Sequence, residues 1–129
     1  MGYRSDVVIA IDKVMYDAEI LLGMGRDNGF HDAARLVAGT YYWVFTSTKW
    51  NVCYPGVKYI ESLMDALDAA DETGYSSAYG FLRVGEDAND IEERGDPCSY
   101  EIYSEVHIDY PQSILDKPKI GEQNATAAA

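Results

Sequence analysis

Residues 79–96 read YGFLRVGEDANDIEERGD, and the fold turns on how that stretch divides. Tyr79, Phe81 and Arg83 alternate with Gly80, Leu82 and Val84, the two-residue period of a strand with two usable faces. Gly85 ends the regular pattern and turn formers follow. Six carboxylates then crowd into eleven residues, Glu86, Asp87, Asp90, Glu92, Glu93 and Asp96, against the single cation Arg94. The reading is a core strand that delivers an acidic loop, Glu86 to Asp96, to the surface.

Working outward, the segment before it is a helix. Pro55 suits a first helical turn, where its missing N–H is unpaired anyway. Val57, Ile60, Met64 and Leu67 recur at three- and four-residue spacing, with Lys58, Glu61, Asp65 and Asp68 opposite them, so the helix lies on a sheet. Its acidic end, Asp71 and Glu72, opposes the helix dipole. Upstream, Tyr41–Trp50 is the clearest strand, aromatic and β-branched throughout, with Tyr41, Trp43 and Phe45 on one face and Tyr42, Val44, Thr46 and Thr48 on the other. Asp6–Ile11 reads as a strand buried on both faces. Asp12 then caps a helix whose stripe is Val14, Ala18, Leu21 and Leu22. Arg26–Phe30 reads as a turn. His31–Gly39 reads either as a short helix capped by Asp32 or, in its second half, as a strand, with the tight Gly39-Thr40 connection favouring the strand. After the acidic loop, Tyr100–Asp109 alternates as a strand with one wet side carrying Glu101, Tyr103, Glu105, His107 and Asp109.

This order predicts an α+β fold: one domain over residues 1–111, an antiparallel or mixed sheet, and two helices packed on one face. It is close to the ferredoxin-like plan with an extra C-terminal strand, followed by an irregular tail over 112–129. The expected core is Val7, Ile9, Ile11, Leu21, Val44, Ile60, Met64, Leu67, Leu82 and Val106. The other face of the sheet is expected to be partly open and rich in Tyr and acids.

Charge narrows the functional classes. The 129 residues carry 22 acids against 10 bases, a net charge of -12. Thirteen of those acids lie between Asp65 and Asp109, with only Arg83 and Arg94 to answer them. Direct binding to a nucleic-acid backbone or to an acidic membrane surface is therefore not expected, because both need clustered Lys and Arg. No apolar run approaches the ~20 residues of a membrane span, and MGYRSD lacks the apolar region of a secretory leader. The expectation is a cytoplasmic protein with Cys53 and Cys98 as free thiols.

Candidate chemistry is sparse. Asp87-Ala88-Asn89-Asp90 resembles the start of a calcium loop, but Ile91 stands where a third oxygen ligand is needed. Cys53, Cys98, His31 and His107 lack zinc spacing. Gly23-Met24-Gly25 lacks the Lys-Ser/Thr of a phosphate loop, and Ser76-Ser77 lacks a nucleophile-elbow context. His107 between Glu105 and Asp109 could act as an acid–base group, although a solvated histidine reads the same way. No metal, cofactor or enzymatic activity is expected. What stands out is aromatics among acids. Tyr offers large contact area at low entropic cost, and a field of carboxylates steers a basic partner.

Three segments carry a resemblance: the opening MGYRS, KWNVCYPGV from Lys49 to Val57, and GFLRVGEDANDIEERGD from Gly80 to Asp96. Together they resemble a family of small, mostly uncharacterised proteins of tailed bacteriophages and prophages. Asn51 departs from the family pattern, where another aromatic is usual. The resemblance implies an α+β sheet and, by analogy, an accessory protein that binds and inhibits a host protein in the host cytoplasm. Such a target includes a nucleic-acid-binding defence complex, an anti-CRISPR-like role. The contact surface expected on this reading is Glu86, Asp87, Asp90, Glu92, Glu93, Asp96, Glu101, Tyr103 and Glu105. A dimer is compatible with it. The alternative is a small-ligand or signalling-nucleotide sponge, and a structural phage component ranks third.

Overall fold

The computed structural model describes residues 3–70, 78–87, 89–104 and 108–122. Strand β1 (Ser5–Asp12) leads into α1 (Lys13–Glu19), which runs on as a π-helical turn, Ile20–Met24. A short α2 (Asn28–Asp32), β2 (Arg35–Val37) and β3 (Thr40–Thr48) follow. Then come α3 (Pro55–Ala70), β4 (Tyr79–Gly85) and β5 (Ile91–Gly95). The sheet order is β2-β3-β1-β4-β5, with every neighbouring pair antiparallel. Its first four strands are the ferredoxin-like set, and β5 is the strand added to it. The fold is α+β.

The expected elements form for the expected reasons. Asp12 caps α1 by accepting from the Val14 and Met15 N–H groups at 3.0 and 3.2 Å. The DVVIAI run becomes the central strand, with Val7, Ile9 and Ile11 buried toward the helices and Val8 and Ala10 buried toward the other face. Ile60, Leu63, Met64 and Leu67 of α3 complete the helix-side core beside Tyr41, Trp43, Tyr79 and Phe81, and Val57 is buried at the start of the same helix.

Several expectations are corrected. The stretch after Asp27 is not only a turn: Asp27 accepts from the Phe30 N–H at 3.0 Å and starts α2, which buries Phe30 and His31. The buried side of α1 is Tyr16, with Met15 and Ile20 packed beside it, whereas Val14 and Leu21 are 74% and 86% exposed. Leu21 is therefore not core. Residues 86–96 are not one acidic loop. Ile91–Gly95 pairs with β4 as an edge strand, and the Gly85 N–H closes the hairpin on the Asp90 carbonyl at 2.8 Å.

Nor is Tyr100–Asp109 one strand. Pro97–Tyr100 is a 3-10 turn, Glu101 adopts a left-handed φ of 60°, and the two-residue strands β6 (Tyr103–Ser104) and β7 (Ile108–Asp109) pair with each other. Residues 105–107 lie outside the described residues, as do Asp71, Glu72, Ser76 and Ser77. This irregular segment covers the face expected to be open. Ile102 and Ile108 are buried there against Val8, Ala10, Leu82 and Val84, with Tyr42, Val44, Tyr100 and Tyr110 at the margin. Beyond it, Gln112–Asp116 forms a second 3-10 turn that buries Ile114, and the Ile120 N–H reaches the Ala34 carbonyl at 2.8 Å. The described part of the stretch expected as an irregular tail thus carries a 3-10 turn and, at 120–122, the start of a helix, and it is docked on the domain.

Two glycines make the β4–β5 hairpin fit. Gly80 and Gly95 face each other across the strands. A side chain at Gly80 would meet the Pro97 backbone at 2.6 Å. Gly95 takes φ +67°, the left-handed region glycine enters freely, and lies against the Tyr79 backbone.

Candidate functional site

The acidic cluster is organised around two arginines. The Arg83 guanidinium holds Asp90 with two parallel bonds, Nη1 to Oδ2 at 3.1 Å and Nη2 to Oδ1 at 2.9 Å. Its Nε donates to Glu92 at 3.0 Å and its Nη1 also to the Ser5 hydroxyl at 3.0 Å. The fork geometry of arginine makes such saturation possible. The Tyr3 hydroxyl adds a bond to Asp90 at 2.8 Å. The Arg83 contact first, then the Tyr3 bond, holds the Asp90 carboxyl below its usual range.

Arg94 serves the other side of the hairpin. It bonds Glu61, Asp65 and Asp68 of α3 at 2.8, 2.9 and 2.9 Å, tying β5 to the helix. The Tyr79 hydroxyl also donates to Asp68 at 2.8 Å, and burial followed by that bond pushes its pKa up. The carboxylates on the outer face of α3 are thus the anchor points of an edge strand.

The expected contact residues accordingly separate. Asp90 and Glu92 are structural partners of Arg83. Glu86 accepts from the Arg4 backbone N–H at 2.8 Å, and Asp87 accepts from the Asn89 N–H at 2.9 Å to shape the turn. Asp96 accepts from the Ser99 hydroxyl. Glu93 and Glu101 are exposed and form no ion pair among the described residues. Glu93 pairs in register with Leu82, and Ile91 with Val84, which puts both on the sheet face covered by the C-terminal segment. Tyr103 projects from that cover and is 45% exposed; Ile91 is 44% exposed. Tyr103 and Glu101 do not share a strand face, since Glu101 sits in the turn. Glu105 lies outside the described residues.

A second site was not expected. A cavity of about 700 Å³, open to solvent, lies where α2, the end of β3 and the start of α3 meet. Its aromatic lining is Phe30, Phe45, Trp50 and Tyr54, and its cations are Arg4 and Lys49. A β-bulge builds it. Between Ser5 and Val7, β1 advances two residues while β3 advances three, from Thr48 back to Phe45. Ser47 absorbs the extra residue at φ +51°, with its N–H held by Asp6 at 2.8 Å and its carbonyl by Arg4 at 3.0 Å. The slip reverses the facing of everything after it, so Trp50 comes to the same side as Phe45 and packs on Phe81 with ring centroids 5.7 Å apart. Strict alternation along 41–50 gives Trp50 the opposite face. The only signal in the sequence was a tryptophan beside a lysine at a strand end.

Cys53 and Cys98 are free and exposed. Among the described residues no helix is long and apolar enough to cross a membrane, and no three of His, Cys, Asp and Glu converge to hold a metal ion. No known protein family, curated protein or solved structure matches the chain.

Proposed function

We propose that the protein is a non-enzymatic interaction module that binds a cationic host protein through the sheet side bearing Ile91, Glu93, Glu101 and Tyr103. The observation that carries this is the exposure of two large apolar side chains, Ile91 at 44% and Tyr103 at 45%, in a region whose carboxylates Glu93 and Glu101 form no ion pair among the described residues. Such a mixture suits a complementary surface: charges bring a basic partner in quickly, and buried aromatic or aliphatic anchors keep it there. Lys- and Arg-rich grooves of nucleic-acid-binding proteins present that chemistry. With the resemblance to phage proteins, the reading becomes inhibition of a host defence component in the host cytoplasm by occupying its nucleic-acid site. The alternative of a nucleotide held by Arg83 and Arg94 gains no support, because carboxylates surround both guanidiniums.

The test uses a host partner recovered on the immobilised protein, with kinetics measured at low and high salt. Glu93→Lys with Glu101→Lys should slow association about tenfold or more at low salt and flatten its salt dependence. Tyr103→Ala should raise the dissociation rate by about tenfold or more, as loss of an anchor does. Asp90 and Glu92 are left intact, since altering them would disturb the hairpin. Unchanged kinetics in both variants would reject the surface.

A further inference from the structure

The feature that this reading leaves unused is the cavity beside Trp50. Its local chemistry runs against that of the chain. In a protein of net charge -12, the cavity wall carries Arg4 and Lys49 and one carboxylate, Asp27. Asp27 Oδ1 is already taken by the Phe30 N–H. Neither Arg4 nor Lys49 forms a side-chain ion pair among the described residues, although 22 acids are available in the chain. The bond from Arg4 Nη1 to the Ser47 carbonyl at 3.0 Å positions the guanidinium without neutralising it.

The remaining wall is aromatic, and it holds one unmet polar group. Trp50 Nε1 is buried and has no acceptor among the described residues. That nitrogen is closed off from solvent, so the indole ring face rather than its N–H is what Trp50 offers to the open cavity. The first turn of α3 adds Gly56 and Val57 to the wall and contains no acidic residue. At about 700 Å³ the space falls within the range of small-molecule sites.

We propose that this cavity binds a small planar anion, a heteroaromatic ring joined to a phosphate or carboxylate. The ring lies against the Trp50 and Tyr54 side chains, and the anionic group is met by Arg4 and Lys49. Stacking on aromatics tolerates ring identity, so the charge supplies much of the selectivity. The cavity and the Ile91–Tyr103 surface share no residue, and neither proposal depends on the other.

The test is calorimetry on the full chain with adenosine monophosphate, indole-3-acetate, adenosine and inorganic phosphate as separate probes, followed in parallel by tryptophan fluorescence. Trp43 is fully buried, so the signal is assigned to Trp50 by its loss in Trp50→Phe. One or both ring-bearing anions should bind, at least about tenfold more tightly than adenosine or phosphate, a gap of about 1.4 kcal/mol. The comparison between the two tells phosphate from carboxylate ligands. Lys49→Ala and Arg4→Ala should each weaken that binding about fivefold or more with partner binding intact, and Lys49→Ala, whose side chain holds no part of the bulge, should also leave the melting temperature in place. Two results overturn the proposal: no binding of either ring-bearing anion at about 1 mM, or equal binding of adenosine with no effect of Lys49→Ala, which would mark an apolar hollow only.

Discussion

The two faces of the sheet are covered in different ways. Toward the helices, α1, α2 and α3 bury a cluster that includes Tyr16, Phe30, Trp43 and Phe81. Each of those covers is held by its own internal backbone bonds before it touches the sheet. On the far side the cover is a 3-10 turn and two two-residue strands, with Ile102 and Ile108 as its buried contacts. That cover has little structure of its own and is held by what it touches. The first face is therefore expected to resist local opening, and the second to open at lower free energy. The candidate contact residue Tyr103 rides on the less firmly held side, while the Trp50 cavity is built on the firmer one.

The largest effect that would break this contrast is a core truncation. Leu67→Ala or Met64→Ala on the helix face should destabilise by about 2–5 kcal/mol, because the surrounding helices cannot collapse into the space. Ile102→Ala should lie at the low end of that range, since its irregular cover can settle. Chemical denaturation of the three variants checks the order, and equal losses would show that both covers are equally rigid.

A smaller effect is pH dependence on the helix face. His31 is 7% exposed, stacks on Tyr16 with ring centroids 5.6 Å apart, and lies 3.3 Å from the Tyr16 hydroxyl. Burial first, then Arg26, lowers its pKa from the ordinary 6.5, against smaller opposing effects of Asp32 and Asp17. The unfolded chain thus binds the proton more readily than the folded one. The contribution is fully present above the ordinary value and is lost as pH falls below it, at no more than about 1.4 kcal/mol per pH unit for one proton. Melting curves between neutral and mildly acidic pH should show this slope, reduced in His31→Gln. The smallest effect is expected at the exposed helix surface: Leu21→Ser should change stability by no more than about 0.5 kcal/mol.

Legibility in the sequence followed the same division. Elements with a sustained period were readable: the Val57–Leu67 spacing marked α3, DVVIAI marked the central strand, and the Tyr41–Phe45 alternation assigned its faces correctly. The α1 stripe failed because two apolar stripes compete along α1 and the π-helical turn that continues it, and the heavier aromatic Tyr16 wins burial over Val14 and Leu21. The 91–95 strand was hidden because Glu92, Glu93 and Arg94 read as loop, whereas edge strands favour such charges as protection against further pairing. Tyr100–Asp109 alternated well but folds otherwise, since Pro97 opens a 3-10 turn and Glu101 reverses the backbone. What the sequence did not disclose is that Arg83 pairs with Asp90 and Glu92 across the hairpin, while Arg94 turns away from the acidic stretch to Glu61, Asp65 and Asp68 of α3. The cavity was invisible because one extra residue, Ser47, changes which side Trp50 faces.

The placement of β1 also sets a schedule. Val8 is paired with Val44 and Leu82, partners 36 and 74 residues further along the chain. At translation rates of about 5–20 residues per second, the most apolar strand waits about 4–15 s between its own synthesis and the arrival of its second neighbour. Assembly of the sheet therefore depends on distant pairing late in synthesis, which slows folding and lengthens the period in which DVVIAI is open to wrong partners.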